Sequence, residues 1–60
     1  MYRLEMTYIV NEDGSVINAK DMVYRDTPFV FADLETAEQA RVEYNRLAVD
    51  GQYYRVKHIN

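Results

Sequence analysis

Tyr2-Arg3-Leu4-Glu5-Met6-Thr7-Tyr8-Ile9-Val10 is the stretch on which the fold turns. Tyr2, Leu4, Met6, Tyr8 and Val10 occupy every second position, with Arg3, Glu5, Thr7 and Ile9 between them. A period of two, rich in aromatic and β-branched residues, predicts a strand with one buried face. Asn11-Glu12-Asp13-Gly14 follows as a turn cluster, whose glycine can take the positive φ that closes a hairpin. Val16 and Ile17 then begin a returning strand expected over residues 15–18.

Further along, residues 19–25 read two ways: a continuation of the second strand past a bulge, or an irregular loop. Asp26-Thr27-Pro28 is expected to break whatever precedes it, because proline has no N–H and restricts the residue before it. Phe29-Val30-Phe31 is a short extended apolar run leading into a helix. That helix carries the clearest signals. Asp33 is placed to cap it, Glu35 and Glu38 sit early and Arg46 late, as the macrodipole favours. Leu34, Ala37, Ala40, Tyr44, Leu47 and Ala48 form an apolar stripe at spacings of three and four, with small alanines that allow close approach to a sheet. Asp50-Gly51 is the stop signal, with Gly51 the left-handed residue after the helix.

Gln52 to Ile59 alternates again, with Tyr54, Val56 and His58 opposite to Tyr53, Arg55, Lys57 and Ile59. Short connections bring this last strand back beside the first. The expected architecture is a single α+β domain over residues 1–60. Its sheet has three to four mainly antiparallel strands in the order β-β-(β)-α-β, and one helix packs on one face.

Composition narrows the function. Sixty residues hold one domain, which buries only about 60% of its unfolded surface. With no cysteine, neither disulfide nor thiolate–metal staples can support it. Six tyrosines, each a large ring with one polar tip, suit a shallow core or an interface, and dimerisation is the other remedy for a small core. A net charge of −3 disfavours generic binding to a nucleic-acid backbone. No apolar run approaches a membrane span and no signal peptide opens the chain, so a cytoplasmic location without membrane attachment is expected.

The candidate chemistries fail on particular residues. Asn11 to Gly14 resembles part of a calcium loop, but the ligand positions two before Asn11 and six after Gly14 hold Ile9 and Lys20. His58 is the sole histidine, too few for a zinc site without cysteines. Glu35, Glu38 and Glu43 read as a solvated helix face, since one helix leaves little volume in which to desolvate a carboxylate pair. No glycine-rich phosphate loop or nucleophile elbow occurs. The expectation is therefore a non-enzymatic protein with no metal and no cofactor.

Two surfaces remain as binding candidates. The first is the sheet face away from the helix, carrying Arg3, Glu5, Tyr53, Arg55 and Lys57; it reads either as a solvated face with pairs such as Glu5 with Arg55 or Lys57, or as an interface. The second is the outer helix face around Val42 and Glu38, which would suit a basic partner.

Phe31-Ala-Asp-Leu-Glu-Thr-Ala-Glu-Gln-Ala40, Tyr44-Asn-Arg-Leu-Ala48 and Asp50-Gly-Gln-Tyr-Tyr-Arg-Val56 carry a resemblance to small phage-encoded accessory proteins, over about the C-terminal half. These pair a short sheet with one acidic helix and end in a tyrosine-rich strand. The resemblance implies a stoichiometric inhibitor or accessory protein acting on a bacterial host protein in the host cytoplasm. It carries over no site residues. The alternatives are a self-associating assembly protein, such as a homodimer, and after it a nucleic-acid-binding domain.

Overall fold

The computed structural model describes residues 1–49 and 51–60. Three strands, β1 (Tyr2–Tyr8), β2 (Arg25–Phe31) and β3 (Gln52–His58), form one antiparallel sheet in the order β2-β1-β3. Helix α1 (Leu34–Leu47) lies between β2 and β3 in sequence and packs on one face. The expected α+β fold is what forms. Because β2 and β3 are each antiparallel to β1, they run parallel to one another with β1 between them.

The alternation of β1 sets the layering. Its register with β3 runs without interruption from Tyr2 opposite His58 to Tyr8 opposite Gln52. Opposed residues in an antiparallel pair share a face. In β1 and β3 the even-numbered residues therefore make one face and the odd-numbered ones the other, while in β2, where Tyr2 meets Phe31 and Glu5 meets Asp26, the parity is reversed. The helix takes the even face: Tyr44 stacks on Phe29 at 4.7 Å between ring centroids and meets Tyr54 at 5.3 Å. Leu4 and Ala37 are wholly buried where central strand and helix meet. Ala37 has no side chain beyond Cβ, which is what lets the backbone of α1 come close.

Asp33 caps the helix as its position predicts, accepting a hydrogen bond from the Thr36 amide at 3.0 Å. Its stripe is narrower than expected. Leu34 and Leu47 are exposed, and the packed face is filled by Ala37, Ala40, Tyr44, Asn45 and Ala48. A sheet of three strands is too small to cover both ends of a helix of 14 residues. Gly51 adopts φ +77°, as its place after the helix requires, while Asp50 lies outside the described residues. A Cβ on Gly51 would run into the side chain of Val10, so the close approach also demands glycine.

Two expectations for the middle of the chain are corrected. The returning strand at residues 15–18 amounts to a single bridge, Val10 to Val16, followed by a short 3₁₀ turn at Ala19–Asp21. The turn itself forms: Gly14 has φ +88°, and Asp13 accepts from both the amide and the hydroxyl of Ser15. Beyond it Val16 stands exposed, and a two-stranded ribbon with nothing packed on it does not propagate. Pro28, conversely, sits inside β2 rather than breaking it. Between Arg3 opposite Val30 and Glu5 opposite Asp26, Leu4 alone faces Thr27, Pro28 and Phe29. In this bulge on an edge strand the missing N–H costs no ladder bond. The Thr27 hydroxyl donates to the Leu4 carbonyl at 2.8 Å, where the ladder is interrupted.

Candidate functional site

The odd face gathers the first group of candidates because β1 and β3 pair in perfect alternation. Arg3 stands opposite Lys57, Glu5 opposite Arg55 and Thr7 opposite Tyr53. In β2 Asp26 lies on the same face, and the bulge sets it opposite Glu5. The result is a ladder of charges across all three strands. Arg55 Nε donates to Glu5 at 2.9 Å, and Lys57 Nζ lies 3.9 Å from Glu5 and 3.5 Å from Asp26. Asp26 in turn holds Arg3 at 3.4 Å. The two carboxylates are shared among three cations, and Arg3 Nε is buried without an acceptor.

This face, read from the sequence as either solvated or an interface, is covered in part by the chain itself. Residues 22–24 fold over part of it. The Thr7 hydroxyl donates to the Val23 carbonyl at 2.8 Å, and the Arg55 guanidinium lies over the Tyr24 ring, 3.4 Å from its centroid. Beneath them Thr7 is 3% exposed and Glu5 8%. A nearly buried carboxylate is tolerable because it is bonded to one cation and close to another. The outer parts stay in solvent: the side chains of Arg55 and Lys57 are 50% and 45% exposed, and Tyr53 is exposed beside them.

Of the seven candidate binding residues, Arg3, Glu5, Tyr53, Arg55 and Lys57 thus share one surface. Glu38 and Val42 belong to α1, across the sheet from it. Glu38 accepts from Arg41 at 3.1 Å, Glu43 accepts from Arg46, and Val42 is exposed between these pairs. Helix pairs three residues apart hold the charges on their own surface.

Tyr24, Asp26 and Asn45 escaped the sequence reading. Tyr24 closes a Met22-Val23-Tyr24 run that alternation alone could not assign to a face. Asp26 lies on the odd face by the parity of β2, and the bulge sets it opposite Glu5 rather than Thr7. Asn45 lies on the packed side of α1, where its carboxamide donates to the Tyr54 carbonyl at 3.0 Å and accepts from the Tyr54 amide at 2.7 Å. It satisfies that residue as a neighbouring strand would.

The groups with displaced pKa values serve local structure. Asp13 is held below the usual carboxylate range by the Ser15 hydroxyl and then its amide. Asp33 is lowered by the Thr36 amide and then its hydroxyl, and Glu43 by Arg46, whose own value rises in return. Among the described residues, no three of His, Cys, Asp and Glu are grouped to hold a metal ion. His58 is exposed and lies against Tyr2, with ring centroids 5.0 Å apart. The Asn11–Gly14 turn lines a cleft of about 630 Å³ with Tyr8 and Val10. No helix among the described residues is long and apolar enough to cross a membrane.

Chemically, the odd face offers fixed cations, one exposed phenol and backbone-anchored neighbours: the means to recognise a surface. Comparison of the chain with protein families, curated proteins and solved structures finds no match.

Proposed function

We propose that this protein is a non-enzymatic protein-binding module whose contact surface is the odd face of the sheet, centred on Tyr53, Arg55 and Lys57. One observation carries the reading. These side chains are exposed, yet Arg55 and Lys57 are held in place by ion pairs with Glu5 and Asp26 and by the Tyr24 ring, so ordering them on binding costs little. Arginine and tyrosine are also the residue types that dominate interface energetics. The excess cation on this face, in a chain of net charge −3, favours an acidic patch on the partner. The resemblance to phage accessory proteins supplies the setting: a stoichiometric binder of a bacterial host protein, in the host cytoplasm.

The test is capture from a bacterial lysate with three forms of the protein. The unaltered chain and a Val42→Ala/Glu38→Ala form should retain the same partner. A Tyr53→Ala/Lys57→Ala form should lose it while its circular dichroism is unchanged. Loss on the helix variant alone would move the surface to α1, and no partner with any form would remove the binding reading.

Self-association is the second reading, favoured by a different observation. Tyr8, Val16, Val23, Leu47 and Val49 are all exposed, at the end of the sheet where β1 finishes and β3 begins. Light scattering at rising concentration decides it: a constant monomer mass removes it.

A further inference from the structure

We propose that the outer edge of β3, from Val56 to His58, accepts an extended acidic segment of a partner protein as a fourth strand. The proposal rests on the protein-binding reading above and adds the mode of binding and the chemistry of the partner.

The register decides which backbone groups are free. Ile9 donates to Gly51, and Ile59 donates to Met1, at the two ends of the β1–β3 ladder. Between them the hydrogen-bonded pairs are therefore the odd-numbered ones, and in β3 the N–H and C=O of Gln52, Tyr54, Val56 and His58 point outward. The Gln52 amide is taken by the Val49 carbonyl, and both groups of Tyr54 by Asn45. Val56 and His58 carry no such bond among the described residues, which leaves two donors and two acceptors in line along an exposed edge. The opposite edge is closed to this use, because β2 has a bulge and a proline.

Charge selects the occupant. The cations of β3 are Arg55 and Lys57, and the strand contains no acidic residue. A second copy of this chain that adds its own β3 to this edge as an antiparallel strand does so about a two-fold axis. Centring the axis on Val56 sets Arg55 of each copy against Lys57 of the other. Centring it on Arg55 or Lys57 sets that cation against itself, centring it on Tyr54 displaces Asn45, and centring it on His58, the last residue of β3, pairs a single strand residue of each copy. Like charges directly opposed destabilise a strand pair. A partner strand alternating carboxylates with apolar residues meets neither obstacle. Its carboxylates would lie beside Arg55 and Lys57 on the odd face, and its apolar residues beside Val56 on the helix side.

The probe is an end-blocked heptapeptide alternating glutamate with valine, compared with its lysine–valine counterpart, each added at millimolar concentration to isotopically labelled protein. Amide exchange at Val56 and His58 should slow on addition of the glutamate peptide, with shifts confined to residues 55–59. Binding should be at least ~10-fold tighter than for the lysine peptide, as opposed against like charge predicts. Unchanged exchange at Val56 and His58 overturns the proposal. Equal protection by both peptides also overturns it, since the partner would then not be selected by charge. If the glutamate peptide shifts Arg55 and Lys57 without protecting either amide, the strand proposal falls. Binding by the sheet face then stands, because the lysate capture above tests it independently.

Discussion

The two faces of β1 are built from one alternating stretch yet reach burial by opposite means. On the even side Leu4 disappears under Ala37, and the rings of Phe29, Tyr44 and Tyr54 stack around it. On the odd side Glu5 is almost as deeply buried, but its neighbours are Arg55, Lys57 and a tyrosine stacked against the arginine. The first face is held by area removed from water, which is non-directional and tolerant of exact geometry. The second is held by paired charges, which are worth little unless every partner is in place. With two wholly buried apolar side chains among the described residues, the domain draws its apolar burial from one face and its ion pairs from the other.

The largest way to break the comparison is Leu4→Ala. Truncating a wholly buried leucine costs about 3–5 kcal/mol. A 60-residue domain has only about 3–9 kcal/mol in total, so the variant should be largely unfolded in a thermal melt followed by circular dichroism. Retention of a cooperative transition near that of the parent would place the core elsewhere. Glu5→Gln asks the same of the odd face. It removes the charge that Arg55 and Lys57 share and should lower stability by about 2 kcal/mol in denaturant titration, with the even-face aromatic signals unchanged. An effect equal to that of Leu4→Ala would mean that the two faces are not separable.

The smallest effect expected is that of Asp33→Asn, which keeps a capping side chain but removes its titration. Asp33 has a folded pKa below the ordinary 3.8, so its contribution is complete above that value and is lost as the pH falls through the folded one. The variant should match the parent at neutral pH and lose less stability below about pH 4. An unchanged acid limb would show that Asp13 and Glu43, lowered in the same sense, carry it instead.

Legibility differed between elements for physical reasons. The strands β1 and β3, the cap at Asp33 and the glycine at 51 were readable because each depends on residues adjacent in the chain. The candidates Arg3, Glu5, Tyr53, Arg55 and Lys57 were readable as one surface for the same reason, since parity in two paired strands is preserved. Tyr24 and Asp26 were not. Tyr24 meets Arg55 across β1, and Asp26 is set opposite Glu5 by a bulge at Pro28, and neither event leaves a periodic mark.

The sequence alone determined which residues alternate, where the helix begins and which side of β1 and β3 is apolar, because side-chain direction follows locally from backbone geometry. The tertiary structure decided that β1 is central, that Leu34 and Leu47 stay in water, and that residues 22–24 cover the charged face. It also decided that Asn45 closes one outward position of β3 and leaves Val56 and His58 open. Those outcomes depend on how far one short helix and one bulged strand can reach across a sheet, and reach is a property of the packed chain.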